Sequence, residues 1–451
     1  MRPASGTAPT SCRGGVPRWS GSSPTSTSAT WSTPSAGCGS WIRCAPTIPI
    51  WTRWCGPRRT PWSSRCGSAP RPWTAPSARL ATPWSSGWAP CRRCRRPSSG
   101  PLIHGGRRRR IPITADSKED NMLSIAESYD AIRSQAAVIE RPGAAVIRVT
   151  GPDRAAVVGR LLARSTEFVA VDSCVDSLLL GPDGQVKGLA TALIGTETIW
   201  LVSDAEADWI DLLSDAAEGL EAVAEVAPEL RALHVEGPRS WQVAGDYTGD
   251  TPIEDLLLGE LVTTRADGEQ ILVARSGSTA EFGYLLVLPE GGLRDEVVAA
   301  AERLGGGLID PEVLPLVHIE TNHPVLPQQT RDCTVLEAGL GWFISFDRSD
   351  GFIGDQVCQL PAPHRRVVAA QLDGEPPSLE AEVRDGDVIV GRVQVVAPRA
   401  DRPQSLVLLL LEDPYGVPGL DLTVDGRPAH TLSRPVIRPR SWTMSIGDES
   451  A

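Results

Sequence analysis

Apolar positions between residues 144 and 304 fall into two kinds of run that alternate in a fixed order. "AAVIRVTGPDRAAVVGRLL" (Ala144 to Leu162) is a β-prone run that stops at Gly151-Pro152 and passes into helical spacing. Asp153 lies near the helix start, where an acid complements the exposed N–H groups. "RALHVEGPRSWQVAGD" (Arg231 to Asp246) repeats the arrangement, with Gly237-Pro238 86 positions after the first pair. "TIWLVSDAEADWIDLLSDAAEGL" predicts a strand at Thr198 to Val202 and an amphipathic helix to Leu220. "YLLVLPEGGLRDEVVAAAERL" predicts a strand at Tyr284 to Leu288 and a helix to Leu304, and Ile199 shifted by the same 86 positions falls on Leu285. Two strand-helix units in register predict a duplicated α+β fold, helices packed on largely antiparallel sheets.

Turn residues fill the gaps. Pro182-Asp183-Gly184 separates "SLLL" from "QVKGLATALI", and Gly195 to Glu197 separates that strand from the next. "VLPLVHIE" is read as an apolar β run, and Trp342 and Phe343 to Phe346 as core. Beyond residue 360, short pieces such as "RVVAAQL", "VIVGRVQVV", "SLVLLLLE" and "LDLTVDG" alternate with turns at Asp385-Gly386 and Asp425-Gly426, the pattern of a small all-β barrel or sandwich. The division is a basic low-complexity segment over 1–121, two α+β units over 122–360 and a β-barrel domain over 361–451.

Charge sharpens the first boundary. Met1 to Ala115 holds no Asp, Glu, Phe or Tyr, yet carries nine of the fourteen Trp, seven of the ten Cys and eighteen of the 44 basic residues. The remainder sets 26 basic residues against all 55 acidic ones, a net charge of −29 that the whole-chain value of −11 conceals. That balance suits a soluble cytoplasmic protein and argues against a nucleic-acid partner. The front segment reads either as a basic disordered arm, with Arg92, Arg93, Arg95, Arg96 and Arg107 to Arg110 as contacts, or as a GC-rich frame translated out of register ahead of a start at Met122. The lack of acids, apolar period and helix caps favours the second.

Several motifs carry no chemistry. Cys91-Arg92-Arg93-Cys94 has redox or zinc spacing but no second pair. No apolar h-region follows the Arg run, so no export signal is read there. The longest aliphatic run, Leu406 to Leu411, is far too short to span a bilayer. Cys174, Cys333 and Cys358 are the only body cysteines, which fits a reducing compartment. Gly305-Gly306-Gly307 follows a helix and lacks the Lys-Ser/Thr of a phosphate loop.

"VTGPDRAAVVGRLL", "RSGSTAEFGYLLVLP" (Arg275 to Pro289) and above all "VLEAGLGWFISFDRSDGFIG" (Val335 to Gly354) carry a family signature. Through them the chain from Met122 to Trp442 resembles the aminomethyltransferase (T-protein) family of the glycine cleavage system and its folate-dependent demethylase relatives. The resemblance implies two α+β domains and a β-barrel around a channel for tetrahydrofolate, with transfer of a one-carbon unit from an amine, sulfur or oxygen donor onto the folate. A pterin edge wants a carboxylate, its glutamyl tail a cation, and the transfer an acid near the folate nitrogens.

The departures from the family fall on that site. The acidic pair of its G-x-x-D-D-L stretch is replaced by Lys187 and Gly188, its pterin-binding Glu by Leu285, and two Arg of its A-R-D-x-L-R-L-E stretch by Leu314 and His318. Candidate catalytic residues are therefore Lys187 and Glu320, and candidate cofactor-binding residues Glu281, Tyr284 and His318. Each has a plainer alternative: an exposed hairpin lysine for Lys187, a structural ion pair for Glu320, a turn residue for Glu281, packing for Tyr284, and a hydrogen-bonded core imidazole for His318.

Two functional classes follow. One is a divergent tetrahydrofolate-dependent aminomethyl or methyl transferase acting on a small-molecule donor, with no membrane partner and any carrier-protein partner unidentified. The other is an inactive scaffold that binds folate or a small acid in assembly or regulation. The K-G-C-x-x-G-Q-E motif of the family's iron-sulfur assembly relatives is absent, which favours the transferase scaffold.

Overall fold

The computed structural model describes residues 122–447 apart from 142, 204–208 and 267. The expectations for the basic front segment and its Arg and Cys clusters lie outside the described residues. The described chain opens with helix α1 (Ile125–Ser134) and short strand β1 (Ala137–Ile139). A Ser124/Glu127 capping box starts α1, a helix that the apolar pattern alone did not single out.

The duplication is present element by element. The first unit runs β2 (Ala145–Thr150), α2 (Arg154–Leu161), β3 (Ser173–Leu180), β4 (Val186–Ile194), β5 (Thr198–Ser203), α3 (Trp209–Ala217) and β6 (Val223–Val226). The second runs β7 (Leu230–Glu236), α4 (Ser240–Ala244), β8 (Leu261–Ala266), β9 (Glu269–Ala274), β10 (Gly283–Pro289), α5 (Leu293–Arg303) and β11 (Gly307–Leu308). Spatial order is β3-β4-β5-β2-β6 in one sheet and β8-β9-β10-β7-β1-β11 in the other, so β1 takes in the second sheet the place β6 holds in the first.

The repeated Gly-Pro pairs have a steric cause. Gly151 and Gly237 both turn at positive φ (104° and 127°), and a Cβ at either would lie 2.5 Å from a carbonyl oxygen, of Glu221 and of Gln135 respectively. Asp153 does not cap its own helix; its carboxylate accepts from the backbone N–H of Glu221, which holds α2 against the segment after α3.

Alternation along β10 shows how the layers stack. Tyr284, Leu286 and Leu288 face a helix-side core with Val297 and Ala301 of α5, while Leu285 and Val287 face Val146, Leu193, Trp200 and Leu272 between the two sheets. The order is helix, sheet, sheet, helix, and a strand buried on both faces reads as the continuous run "YLLVL".

Helix α6 (Leu314–Thr321) corrects the expectation of a β run there. Pro315 sits in its first turn, where its missing N–H costs nothing, and Asn322 ends it at φ 65°. Burial of Leu314 and of every residue from Leu316 to Glu320 removes the polar face that a helical period requires. Trp342 and Phe346 also differ from the core reading: they are 51% and 47% exposed, whereas Phe343 and Ile344 are buried.

The last domain is a closed antiparallel barrel of β12 (Arg365–Asp373), β13 (Glu382–Asp385), β14 (Val388–Pro398), β15 (Gln404–Glu412), β16 (Asp421–Val424) and β17 (Arg427–Leu432), ordered β12-β15-β14-β13-β16-β17. Leu409 and Leu411 fill it, and Leu406, Leu408 and Leu410 pack outward beside Leu316 and Ile319 of α6. Both predicted Asp-Gly pairs turn hairpins here, with Gly386 and Gly426 at positive φ. Among the described residues no helix is long and apolar enough to cross a membrane, and Cys174, Cys333 and Cys358 are free thiols.

Candidate functional site

Three adjoining cavities run between the sheets and α6. The first, about 460 Å³, is walled by Arg141, Lys187, Leu189, Leu314, His318, His323 and Gln328. Through Arg141, Leu189 and His323 it shares a wall with a neck of about 30 Å³ that holds Asp176, Thr191, His234 and Ser276. Asp176, Ser276 and Gly277 in turn border a third space of about 330 Å³ that reaches Arg164 and Leu258.

Asp176 is the carboxylate of this passage, and register puts it there. It pairs across the β3–β4 ladder with Thr191, whose hydroxyl donates to Asp176 Oδ1 at 2.6 Å. The Ser276 hydroxyl, 100 residues away in sequence, lies 3.3 Å from Oδ2. Burial raises the carboxyl pKa of Asp176 above the ordinary value, opposed by the Thr191 hydrogen bond, the Arg164 charge and Ser276.

Glu236, at the end of β7 and wholly buried, fixes the loop that carries Ser276. Its carboxylate accepts from the Ser278 and Thr279 N–H groups, both 2.8 Å from Oε2, and from both hydroxyls. Gly277 passes so close that an added Cβ would lie 2.9 Å from Glu236 Oε2.

The basic side of the passage is built from neutral imidazoles as well as charged groups. His318 stacks at a tilt on His323, ring centroids 4.5 Å apart. Burial first, then the Arg141 charge, depresses His234 and His323 to about 3, and burial with His323 and Arg141 depresses His318 well below its usual value. Because the folded pKa values lie below the unfolded 6.5, the unfolded chain takes up these protons first. Stability is therefore expected to be complete above pH 6.5 and to fall steadily as pH drops towards 3. Urea midpoints across that range test this; a flat profile for wild type, or one left unchanged by His323→Gln, contradicts it.

The five residues singled out from sequence divide. Lys187, exposed at the end of the β3–β4 hairpin, and His318 line the same cavity. Glu320 faces away from it: its carboxylate meets Arg133 at 2.9 Å, Arg399 at 3.0 Å and the Tyr129 hydroxyl at 3.0 Å, tying α1 and α6 to the barrel. Glu281 lies 3.5 Å from Arg133 and accepts from the Ser441 N–H at 2.9 Å and the Arg440 N–H at 3.2 Å, holding the C-terminal segment. Tyr284 is buried in the helix-side core, its hydroxyl without a hydrogen-bond partner among the described residues and its pKa pushed up to about 12 by burial.

Asp176, Arg141, His234, Glu236, His323 and Ser276 were missed. An acid inside the apolar strand "SCVDSLLL" and another closing "RALHVEG" were the available signals. Leu285, which the sequence resemblance aligned with a pterin-binding Glu, is fully buried between the sheets, across the β7–β10 ladder from His234.

Comparison with known proteins agrees with this architecture. The sequence model of the GCVT N-terminal domain matches residues 108–348. An aminomethyltransferase of Chlorobaculum tepidum is 27% identical over 275 residues, 56% of this chain and 72% of the relative. One from Stenotrophomonas maltophilia strain K279a is 25% identical over 331 residues, 69% of this chain and 88% of the relative. The crystal structure of glycine cleavage system aminomethyltransferase T from Bartonella henselae superposes with a TM-score of 0.62 at 19% identity, covering 70% of this chain and 91% of that one, a likeness of fold. With more than half its length matched, the chain belongs to the family of the GCVT N-terminal domain.

Proposed function

We propose that the protein is a folate-class one-carbon transfer protein in which Asp176 serves as the acid in place of the acidic pair replaced by Lys187 and Gly188. The observation that carries this reading is Asp176 itself, a buried carboxyl with a raised pKa held by Thr191 and Ser276 where the cavities meet. Family membership and the aminomethyltransferase relatives support folate-dependent one-carbon chemistry at the family level.

The residues present fit the ligand. Arg141 and Lys187 supply cations for a glutamyl tail, the apolar wall of Leu189 and Leu314 suits a flat ring, and Asp176 and Ser276 offer polar atoms beyond the neck. Tetrahydrofolate, when bound, supplies the nitrogens that accept the one-carbon unit. Asp176 holds a proton on its carboxyl and releases it to the departing heteroatom of the donor. Thr191 and Ser276 fix the orientation of that carboxyl, and Glu236 keeps Ser276 in place. His318 and His323, kept neutral, leave the cavity's positive charge to Arg141 and Lys187.

A second reading, a scaffold that binds a small organic acid without transfer, draws on one observation: among the described residues no carboxylate lines the 460 Å³ cavity. Calorimetric titration of the full chain with tetrahydrofolate separates the two. Micromolar binding, weakened roughly two- to five-fold by Lys187→Ala because that amine is exposed, accords with the folate-class reading. No heat at millimolar tetrahydrofolate together with binding of a simple dicarboxylate would replace it with the second.

A further inference from the structure

We infer that the face formed by α2 and the loop from Ser165 to Val171 is the interface of a two-fold homodimer, in which Glu167 and Phe168 of each copy seat against the cavity beside α2 of the other. The inference goes beyond the folate-class reading and does not depend on it, since no residue of the proposed chemistry lines that cavity.

A fourth cavity, of about 710 Å³, opens beside α2 in the first α+β unit. Ala155, Ala156, Val171, Ile194 and Ile199 give it an apolar lining. Ala155 and Ala156 are exposed on the helix, where a surface helix ordinarily carries long polar side chains. Glu167 and Val169 also line the cavity, and between them Phe168 is 91% exposed, more than any other large apolar side chain among the described residues. A lone exposed apolar residue is ordinary, but an aromatic ring left in water on the rim of an apolar opening marks a contact surface.

Charge identifies the partner as a second copy. Arg154 and Arg160 line the cavity; Arg154 donates to the carbonyl oxygens of Gly151 and Thr196, Arg160 to those of Ala216 and Glu218, and among the described residues no carboxylate pairs with either. Asp350, the other acid on the wall, is held by Arg348 at 2.8 Å, whereas Glu167 is exposed and has no ion pair among the described residues. One face therefore displays an aromatic, an apolar opening, two uncompensated cations and an uncompensated anion. A two-fold axis sets each Glu167 against Arg154 and Arg160 of the other copy and each Phe168 against the other opening, the self-complementarity that an isologous interface requires. Phe168 and the apolar lining carry the affinity, and the exposed charges fix the register.

Sedimentation velocity of the full chain over micromolar concentrations is the test. Wild type should form a reversible dimer. Phe168→Asp, at a position with almost no packing to lose, should weaken dimerisation by about a hundred-fold or more, because symmetry removes the apolar contact twice. Glu167→Arg, and Arg154→Glu combined with Arg160→Glu, should each dimerise more weakly than wild type because each sets like charges across the axis. An equimolar mixture of those two charge variants should recover association as a heterodimer, since every facing pair is again of opposite sign. Urea midpoints first establish that the arginine variant is folded; if it is not, Phe168→Asp and Glu167→Arg decide alone. A wild type that stays monomeric at its highest soluble concentration overturns the inference. So does a dimer that Phe168→Asp and Glu167→Arg leave intact, or a mixture of folded charge variants that associates no better than either alone.

Discussion

Replacing Asp176 with Asn is expected to lower one-carbon transfer to tetrahydrofolate by roughly 10²- to 10⁴-fold, the usual contribution of a positioned general acid. The substitution keeps the shape and the Thr191 contact but removes the transferable proton. Wild-type rate should fall as pH rises through the raised pKa of Asp176, and the variant's residual rate should lack that limb. Stability falls with rising pH as well. A carboxyl whose folded pKa is raised stabilises the fold only while protonated, so its contribution is lost as pH climbs from the unfolded value of 3.8 through the folded one. Asp176→Asn should therefore be no less stable than wild type at neutral pH, as expected where function opposes stability. Transfer from N-methyl amine and S-aminomethyl donors, with urea midpoints on both proteins, gives the comparison; equal turnover by the variant would remove Asp176 from the chemistry.

Glu320→Gln should act in the opposite sense, costing about 3–5 kcal/mol of stability while leaving ligand affinity in the folded protein unchanged. Glu320 has no exposed surface and answers two guanidiniums, Arg133 at 2.9 Å and Arg399 at 3.0 Å, whose side chains are 10% and 7% exposed. Neutralising it strands one or both of those charges. The loss also spreads, because Arg133 holds the Thr279 carbonyl and the Glu281 carboxylate, which in turn holds Ser441. A large fall in urea midpoint with unaltered tetrahydrofolate affinity assigns Glu320 to the framework. A stable variant with lost turnover would return it to the catalytic role its place in the sequence motif implied.

The fold was legible wherever one face of an element meets solvent or a turn forces a particular residue. The Gly151 and Gly237 repeat marked the duplication because both positions exclude a Cβ, and the Asp-Gly pairs marked barrel hairpins because those turns demand positive φ. Helix α6 was not legible: with six of its eight residues buried, its sequence has no polar stripe to set a period, and β-branched Val317 and Ile319 read as strand. Trp342 and Phe346 were placed inside on residue type alone, and apolar residues at a surface are ordinary.

The site was less legible than the fold, for a reason of distance along the chain. Lys187 and His318 were found because they stand in matched motifs, and they border one cavity although 131 positions apart. Asp176 carries no local mark of function; its meaning comes from Thr191 across a strand pairing and Ser276 in the other α+β unit. Glu281 and Glu320 were conspicuous as charges inside motifs, yet what they do is set by Arg133, Arg399 and Ser441, which no sequence spacing connects to them. Lone acids in strands gain a role only when tertiary structure supplies both their burial and their partners.

The most direct measurement is a crystal structure of the protein saturated with tetrahydrofolate. The account predicts ligand density filling the cavity between Lys187 and His318, with its acidic end at Arg141 and Lys187 and polar ring atoms reaching towards Asp176 and Ser276. Density elsewhere on the molecule, or an empty passage under conditions where calorimetry shows saturation, would contradict it.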